Sequence, residues 1–310
     1  MNKPRQELVL VTGATGTQGK AVVKAMRSRG YAVRAFVRNP TSAAARDLAT
    51  LGASLVPGTF EDISSLDAAA NGASIVFSVQ MPSPADDPDA EVRQGRALVA
   101  AARRAGIRQF IHSSALNTAD IGVLPEHETS LPGTYWRNKR AVEATVRAAE
   151  FAEYTILRPG FFMENFLPPM AAALFPDLRK GKILTAIKLT TYLQLIAADD
   201  IATAAVAIVA APSLFNGVTL ELTGDARTPS EIASVLSATL QTNIVAGVQS
   251  EAELLTRGHT PKWIKTQERY NIVSRPSRSD MMDRFGLTPT SFARWAKSHA
   301  ALFEIRDVPS

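Results

Sequence analysis

Residues 8–19 read LVLVTGATGTQG, and Leu8–Val11 form a run of four apolar residues. Such a run is typical of a strand that is buried on both faces of a parallel sheet. Three glycines follow at a spacing of three, and residues 20–29 carry a helical pattern. This order of strand, glycine turn and helix predicts the first βα unit of a doubly wound α/β fold.

The glycine turn has the chemistry of a phosphate-binding loop. Glycine lets the backbone turn tightly beside a pyrophosphate, whose negative charge faces the free N–H groups at the helix start. We expect Gly13 to make the turn, Gly16 to allow the close approach and Gly19 to let helix and strand touch. The G-x-x-G-x-x-G spacing differs from the usual dinucleotide fingerprint, and a plain strand-to-helix turn is the alternative.

The composition excludes several classes of site. The chain has 310 residues, 46% of them hydrophobic, and no cysteine, which rules out disulfides, thiolate catalysis and cysteine-ligated metals. The net charge of +5 comes from dispersed cations, so a dinucleotide ligand explains it better than nucleic acid. A polar start and the lack of a long apolar run predict a cytoplasmic protein outside the membrane. The histidines, too scattered to suggest metal ligands, are His112, His127, His259 and His299.

Arg38 stands at the end of the second expected strand, residues 32–37. An acidic residue at this position binds the ribose 2′-hydroxyl of NAD, whereas a guanidinium pairs with the 2′-phosphate of NADP. The sequence therefore predicts that NADP(H) is preferred over NAD(H). A solvated surface arginine is the alternative.

Further candidates follow the next three expected strands, at residues 54–56, 74–79 and 109–113. Phe60 and Asp62 should lie near the adenine, although Asp62 could equally cap a helix over 63–70. Gln80 opens a proline-rich exit that should pass near the nicotinamide. Ser114 stands at the tip of the third of these strands, with Ser113 as a competitor for the same role.

Tyr135 and Lys139 are four residues apart in a helix that we expect to start at Tyr135, after a Thr134 cap, and to run to about Glu150. This spacing puts both side chains on one helix face. A nearby ammonium would favour phenolate and lower the pKa of Tyr135. The pair is therefore a candidate acid/base unit.

Three segments together resemble a known family. They are TGATGTQG at 12–19, VRNP at 37–40 and TILRPGFFMEN at 155–165. They resemble the NmrA-like family of atypical short-chain dehydrogenases/reductases. The resemblance implies residues 1–157 as an NADP-binding Rossmann domain. Residues 158–310 would form mainly a smaller α/β lobe for substrate or partner, with some strands returning to the main sheet. Independently of the resemblance, the mixed residues of the segment at 251–279 are typical of either a lid or a partner surface.

The resemblance also implies residue roles. Lys139 matches the family's cofactor-side lysine, Tyr135 the acid/base of ordinary short-chain dehydrogenases, and Ser114 its assistant. The pyrophosphate would be held by the turn residues Gly13, Thr15, Gly16, Thr17, Gln18 and Gly19. The substrate pocket beside the nicotinamide would be lined by Phe161, Phe162 and Asn165, with Phe161 also contacting the cofactor. Ordinary core packing is the alternative for the two phenylalanines.

Two functions fit these residues. The first is an NADPH-dependent oxidoreductase that reduces a small-molecule quinone, carbonyl or enone, with Tyr135 supplying the proton and Ser114 steadying the oxyanion. The second is a non-catalytic NADP(H)-binding redox sensor that acts through a regulatory protein partner. The family's regulator branch usually lacks the tyrosine that this chain keeps at Tyr135, which favours the reductase. Either protein would be a monomer or a homodimer without a metal.

Overall fold

The structure is a computed structural model and describes residues 7–118 and 131–305. The strands are β1 (Leu8–Val11), β2 (Ala32–Val37), β3 (Ser54–Pro57), β4 (Ile75–Ser78), β5 (Gln109–Ser113), β6 (Glu153–Pro159), β7 (Phe161–Phe162), β8 (Lys182–Thr185), β9 (Leu193–Ile196), β10 (Thr219–Leu222), β11 (Asp225–Arg227) and β12 (Val245–Val248).

The α-helices are α1 (Thr17–Ser28), α2 (Ala43–Thr50), α3 (Ile63–Ala70), α4 (Ala90–Arg104), α5 (Leu131–Arg147), α6 (Met170–Leu174), α7 (Ala198–Ala210), α8 (Pro212–Phe215), α9 (Pro229–Leu240), α10 (Glu251–Thr256), α11 (Pro261–Val273), α12 (Met281–Arg284) and α13 (Phe292–Ser298). Short 3₁₀ turns lie at Met163–Phe166, Leu178–Lys180 and Ala300–Leu302.

The central sheet has seven strands in the order β10-β6-β5-β4-β1-β2-β3. Strands β1 to β6 pair in parallel, as the buried apolar runs predicted. The chain order reverses between β1 and β4, which makes this the switch point where open parallel sheets bind ligands at the carboxyl ends of their strands. The predicted doubly wound Rossmann-type fold is confirmed.

The first of two compact units contains the described residues of 1–129, 133–158 and 201–220. Its core on one face of the sheet joins Leu10, Val76 and Phe110 to α3 and α4. On β5, the Gln109 side-chain amide donates to the Ile208 carbonyl of α7 at 2.9 Å. Most of helix α7 and the first half of β10 therefore belong to this unit, although they follow residue 158 in the chain.

The second unit contains residues 131–132, 159–200 and the described residues of 221–310. It holds a three-stranded sheet in the order β11-β9-β7 and a parallel pair of β12 with β8. Its core is aromatic, with fully buried Phe166, Phe175, Phe292 and Trp295. The segment at 251–279 contributes α10 and α11, and Trp263 of α11 packs into that core.

Two expected helix ends are wrong. Helix α5 begins at Leu131, so Thr134 lies inside the helix and does not cap it. Pro132 accounts for the earlier start, because proline fits the first turn of a helix, where its missing N–H costs nothing. The same helix ends at Arg147, and Glu150 has a left-handed backbone with φ of 50°, which cannot continue an α-helix.

Candidate functional site

The β1–α1 turn needs glycine at two positions. Gly13 has φ of +59°, and a Cβ there would come within 3.0 Å of the Val79 Cβ. A Cβ on Gly19 would come within 2.2 Å of the Gly13 carbonyl oxygen. The Gly16 N–H donates to that same oxygen at 3.0 Å. The backbone of this loop is therefore packed so closely that it leaves no room for a side chain at Gly13 or Gly19.

The start of α1 offers unpaired amides. Gly16 is the N-cap and supplies no side-chain cap, and the first turn contains no acidic residue. The N–H groups of Thr17, Gln18 and Gly19 therefore lack intrahelical acceptors and carry the positive end of the helix dipole. Thr15, on the same turn, is exposed. These groups fit the pyrophosphate of a dinucleotide.

A network of buried, hydrogen-bonded polar side chains lies beside the switch point. The Thr12 hydroxyl joins the ends of β1 and β4, donating to the Val79 carbonyl at 3.0 Å and accepting from its N–H at 2.8 Å. Gln80 is 2% exposed and donates through Nε2 to Ser78 Oγ at 3.0 Å. Among the described residues its Oε1 has no hydrogen-bond partner. This orphaned acceptor fits a ligand donor at the site predicted for the nicotinamide.

His112 belongs to the same network of buried hydrogen bonds, although its position in the sequence gave no sign of this. Its Nδ1 lies 3.2 Å from Ser78 Oγ. Burial, with a smaller contribution from the Lys139 charge, lowers the pKa of His112 to about 3. The ring is therefore neutral at physiological pH. His127 lies outside the described residues.

Arg38 follows β2 and is exposed, and no described side chain pairs with its guanidinium. The loop behind it is fixed by its own hydrogen bonds. Asn39 Oδ1 accepts from the Thr41 N–H at 2.9 Å, and Arg46 Nη1 donates to the Thr41 carbonyl at 2.6 Å. The Arg38 guanidinium is therefore available to an anionic ligand.

Phe60 and Asp62 follow β3. The Phe60 ring packs edge-on against Phe36 with centroids 5.7 Å apart. The Asp62 carboxylate accepts from the N–H groups of Ser64 and Ser65 at 3.0 and 3.3 Å, which caps α3. Hydrogen bonding from the Ser64 side chain is the largest contribution that lowers the pKa of Asp62. The N-cap alternative for Asp62 is confirmed.

The two serines at the end of β5 have different partners. Ser113 Oγ donates to Gln18 Oε1 at 2.8 Å, which ties this strand to the start of α1. The Ser114 hydroxyl is buried and hydrogen-bonded to the Glu143 carboxylate. Ser113 is therefore the serine linked to the start of α1, beside the glycine turn.

Glu143 of α5 is 1% exposed and also accepts from Arg158 Nη2 at 2.7 Å and Arg147 Nη1 at 3.0 Å. Burial alone would raise the pKa of Glu143. Hydrogen bonds from Arg158, Ser114 and Arg147 outweigh burial and hold that pKa below its ordinary value. Glu143 is therefore a carboxylate anchored by several donors.

Tyr135 and Lys139 share a face of α5, as their spacing predicted. The Lys139 Nζ lies 5.5 Å from the centroid of the Tyr135 ring, which also packs edge-on against Trp136. The same Nζ lies 2.6 Å from Glu91 Oε1 on α4, and the two charged side chains are 6% and 1% exposed. Sequence reasoning missed Glu91, because nothing in the sequence signals a partner 48 residues before the lysine.

The expected direction of the Tyr135 pKa shift is wrong. Burial raises the pKa of Tyr135, Lys139 opposes that shift and Glu91 reinforces it, so the pKa lies above its ordinary value. Burial also lowers the pKa of Lys139, but the Glu91 carboxylate more than compensates and leaves that pKa raised. The phenol is therefore protonated at neutral pH. Its hydroxyl has no hydrogen-bond partner among the described side chains.

The remaining candidates belong to the second unit. Phe161 is 9% exposed and its ring stacks on Trp263 at 5.9 Å, so it is part of the aromatic core. Phe162 and Asn165 are half-buried. This unit also contains a cavity of about 200 Å³, whose lining includes Phe166, Phe175, Leu178, Arg179, Phe303 and Ile305. The contact of these residues with substrate stays a prediction.

Within residues 7–118 and 131–305, no group of three or more acidic or histidine side chains is arranged to hold a metal ion. In those same ranges, none of the helices combines the length and apolar character that crossing a membrane requires.

Comparison with known proteins identifies relatives along the whole chain. The profile of the NmrA-like family matches residues 5–260. The NAD(P)H azoreductase of Xenophilus azovorans is 26% identical over 310 aligned residues, which cover 96% of this chain and 99% of that protein.

Two solved structures share the fold. NmrA, a negative transcriptional regulator in complex with NAD, superposes with a TM-score of 0.75 at 19% identity, covering 95% of each chain. The triphenylmethane reductase of Citrobacter sp., complexed with NADP(H), gives 0.75 at 22% identity, covering 94% of this chain and 99% of that one. One of these proteins is described as a regulator and the other as a reductase.

Proposed function

This chain belongs to the NmrA-like family, and from that premise we propose that it is an NADPH-dependent reductase of conjugated small molecules such as quinones, enones or other carbonyl compounds. The observation that carries the proposal is Tyr135, a protonated phenol without a hydrogen-bond partner among the described residues, in the same unit as a glycine turn whose backbone fits a pyrophosphate. We place the enzyme in the cytoplasm as a monomer or homodimer.

The groups that would hold the cofactor all belong to the first unit. The α1 amides and the glycine turn would bind the pyrophosphate, and Ser113 holds Gln18 beside them. Arg38 would pair with the 2′-phosphate, which supports NADP(H) over NAD(H). Lys139 has three N–H donors and uses one described partner, so it retains donors for the nicotinamide ribose. When bound, the reduced nicotinamide supplies a hydride.

The proton would come from Tyr135. A protonated phenol can donate to the oxygen or nitrogen that becomes negative when a conjugated substrate is reduced. Ser114 remains our candidate for stabilising that anion. Ser113 is instead proposed to hold Gln18 in position beside the glycine turn. Phe161, Phe162 and Asn165 are proposed to contact the substrate, in keeping with the family resemblance.

The relatives support this substrate class. An azoreductase and a triphenylmethane reductase, by their names, reduce extended aromatic electrophiles. Quinones have the same planar, conjugated and electron-accepting character. We therefore propose that a flat conjugated electrophile is the substrate, with an azo or triphenylmethane dye as a usable probe.

The test is NADPH oxidation against a panel of quinones, enones, simple carbonyls and the two dye classes. The Tyr135→Phe variant should lower kcat by about 10²- to 10⁴-fold, the usual contribution of a positioned proton donor. Tyr31→Phe, a half-buried tyrosine outside the site, is the matched control and should retain the parent rate. Equal rates for parent and Tyr135→Phe would remove Tyr135 from the reaction.

The rival function is an NADP(H)-binding sensor. The specific observation in its favour is the shared fold with NmrA, a negative transcriptional regulator. A sensor would bind the dinucleotide without turning over any substrate on the panel. It would also bind a protein partner with an affinity that differs between NADP⁺ and NADPH, which a pull-down with each form would reveal.

A further inference from the structure

We propose that Glu91 is a positioning residue whose buried carboxylate neutralises Lys139, keeps Tyr135 a protonated phenol, and thereby preserves Tyr135 as a proton donor at and above neutral pH. The inference deepens the proposed reductase function and rests on it. It concerns a residue that no spacing pattern in the sequence connects with the tyrosine and lysine.

The geometry of the ion pair carries the first step. Lys139 Nζ and Glu91 Oε1 are 2.6 Å apart, and solvent reaches 6% and 1% of the two side chains. Lys139 is the sole charged partner of Glu91 among the described residues. Glu143, the other buried carboxylate on this side of α5, is bound by two arginines and a serine. Glu91 is therefore dedicated to the lysine.

A second set of contacts fixes this pair in place. The Glu91 N–H donates to Ser83 Oγ at 2.9 Å, and the same oxygen accepts from Asn138 Nδ2 at 3.0 Å. Asn138 directly precedes Lys139 on α5. The start of α4 is thus fastened to α5 through neighbouring residues, which limits how far the carboxylate and the ammonium can separate.

The electrostatic consequence falls on Tyr135. The charged groups that act on the phenol are Lys139, which stabilises phenolate, and Glu91, which opposes it. Lys139 in turn interacts with Glu91, Tyr135 and Glu143, while His112 is neutral. A lone lysine would lower the phenol pKa, but a neutralised lysine leaves burial as the dominant influence. Tyr135 consequently keeps its proton.

This protonation state suits the role of proton donor. When substrate is reduced, the Tyr135 O–H bond breaks and its proton moves to the newly negative substrate atom, leaving a phenolate that takes a proton from water. The reverse reaction would require a phenolate to remove a proton from an alcohol. With the pKa above the ordinary value near 10, that phenolate is scarce at neutral pH.

The test titrates Tyr135 in the cofactor-free protein. The chain has five tyrosines, so ¹³Cζ-tyrosine labelling gives few signals, and Tyr135→Phe identifies the relevant one. We expect Glu91→Gln to lower the pKa of Tyr135 by about one unit or more, because it removes a buried negative charge and leaves the lysine. Asp89→Asn removes an exposed carboxylate two residues away and should leave the titration unchanged. An unshifted Tyr135 in Glu91→Gln would overturn the proposal.

A double variant covers the case in which Glu91→Gln does not fold. Glu91→Gln with Lys139→Gln removes both charges, so no buried charge is left unpaired. Because the two opposing influences vanish together, the Tyr135 titration should stay within about half a unit of the parent. A rise of about one unit or more would show that Lys139 acted alone, which would refute the role of Glu91.

Enzyme kinetics supply a separate readout. The reductase rate of the parent should be flat from pH 6 to about pH 9. As pH rises, the rate of Glu91→Gln should begin to fall at a lower pH than the rate of the parent, because its phenol ionises earlier. If no substrate is ever turned over, the proposed function fails while the titration still decides the role of Glu91.

Discussion

The two units of this chain use their buried charges differently. In the first unit, Lys139 is paired with Glu91, and Glu143 with Arg158, in helices and strand ends that surround the carboxyl side of the sheet. In each of these ion pairs, the two charged residues are far apart in the sequence. Their burial is costly unless each charge keeps its partner, so they are poor stabilisers but good at fixing protonation states.

In the second unit, Glu164 and Asp200 hold backbone N–H groups, while buried Asp177 pairs with the exposed cations Lys180 and Arg257. Glu164 Oε1 accepts from the Ala198 N–H at 3.0 Å and from Trp295 Nε1 at 3.2 Å. Asp200 accepts from the Thr290 N–H at 2.8 Å. Burial raises the pKa of both carboxyls. The buried Lys139–Glu91 pair therefore lies in the first unit, whereas the second unit combines backbone-holding carboxylates with an aromatic core.

The strongest test of this contrast removes part of that core. Phe175 is 2% exposed and stacks on Phe166 with centroids 4.9 Å apart. Phe175→Ala should destabilise the protein by about 3–5 kcal/mol in chemical denaturation. Phe175→Leu is the control and should lose less, because it keeps most of the apolar contact. The folded variants should bind NADPH with the parent affinity, and a tenfold loss in Phe175→Leu would contradict the separation of roles.

Gly19→Ala tests the first unit with a single methyl group. Its Cβ would lie 2.2 Å from the Gly13 carbonyl oxygen, so the turn must shift. We expect a loss of about 1–3 kcal/mol in stability and at least tenfold in NADPH affinity, measured by calorimetry. Gly247→Ala in β12 places its Cβ 3.3 Å from a flexible Leu184 methyl and should change neither quantity much. Unchanged NADPH binding in Gly19→Ala would exclude this turn as the phosphate site.

Arg38→Ser addresses cofactor preference. The loss of hydrogen bonds to a charged phosphate should weaken NADPH binding by about ten- to a hundredfold. NADH, which lacks the 2′-phosphate, should bind as it does to the parent. Arg29→Ser removes another exposed arginine, at the far end of α1, and serves as the control. Parallel losses for NADPH and NADH in Arg38→Ser would mean that Arg38 does not read the 2′-phosphate.

The smallest effect concerns the pH dependence of stability. Burial raises the folded-state pKa of Glu164, so the stability from its protonated form is present below the ordinary glutamate pKa and is lost as pH rises through the folded value. Glu164→Gln should flatten that decline, by about 1 kcal/mol or less. Denaturation midpoints from pH 4 to pH 8 would measure it.

Glu143 should show the opposite sign. Its folded-state pKa is lowered, so the stability that it contributes is present above the ordinary glutamate pKa and is lost as pH falls through the folded value. Glu143→Gln should therefore remove part of the acid sensitivity of the parent. The same slope in Glu143→Gln and Glu164→Gln would erase the distinction between the two units.

Local signals predicted several elements well. Helix α9 runs from Pro229 to Leu240 as the sequence pattern indicates, because Thr228 and Glu231 form a capping box and Pro229 fits the first turn. The start of α5 was misplaced because Thr134 looked like a cap, while Pro132 allowed an earlier start. The first residue of a helix is hard to predict when two nearby residues, here Pro132 and Thr134, each favour a different start.

The candidate site divides in the same way. The glycine turn was evident because strand, turn and helix adjoin in the chain, and Arg38 because it ends the following strand. Glu91 and His112 were missed because their partners lie across the fold. Only the packing of α4 against α5 reveals that the lysine is neutralised.

The sequence was sufficient to predict the Rossmann-type order of elements, the family and the glycine turn between β1 and α1. These depend on apolar periodicity and on glycines close together in the chain, which local physics decides. The tertiary structure alone decided which serine meets the glycine turn and why Tyr135 keeps its proton. Protonation depends on burial and on charges brought together from distant residues, and neither exists until the chain has folded.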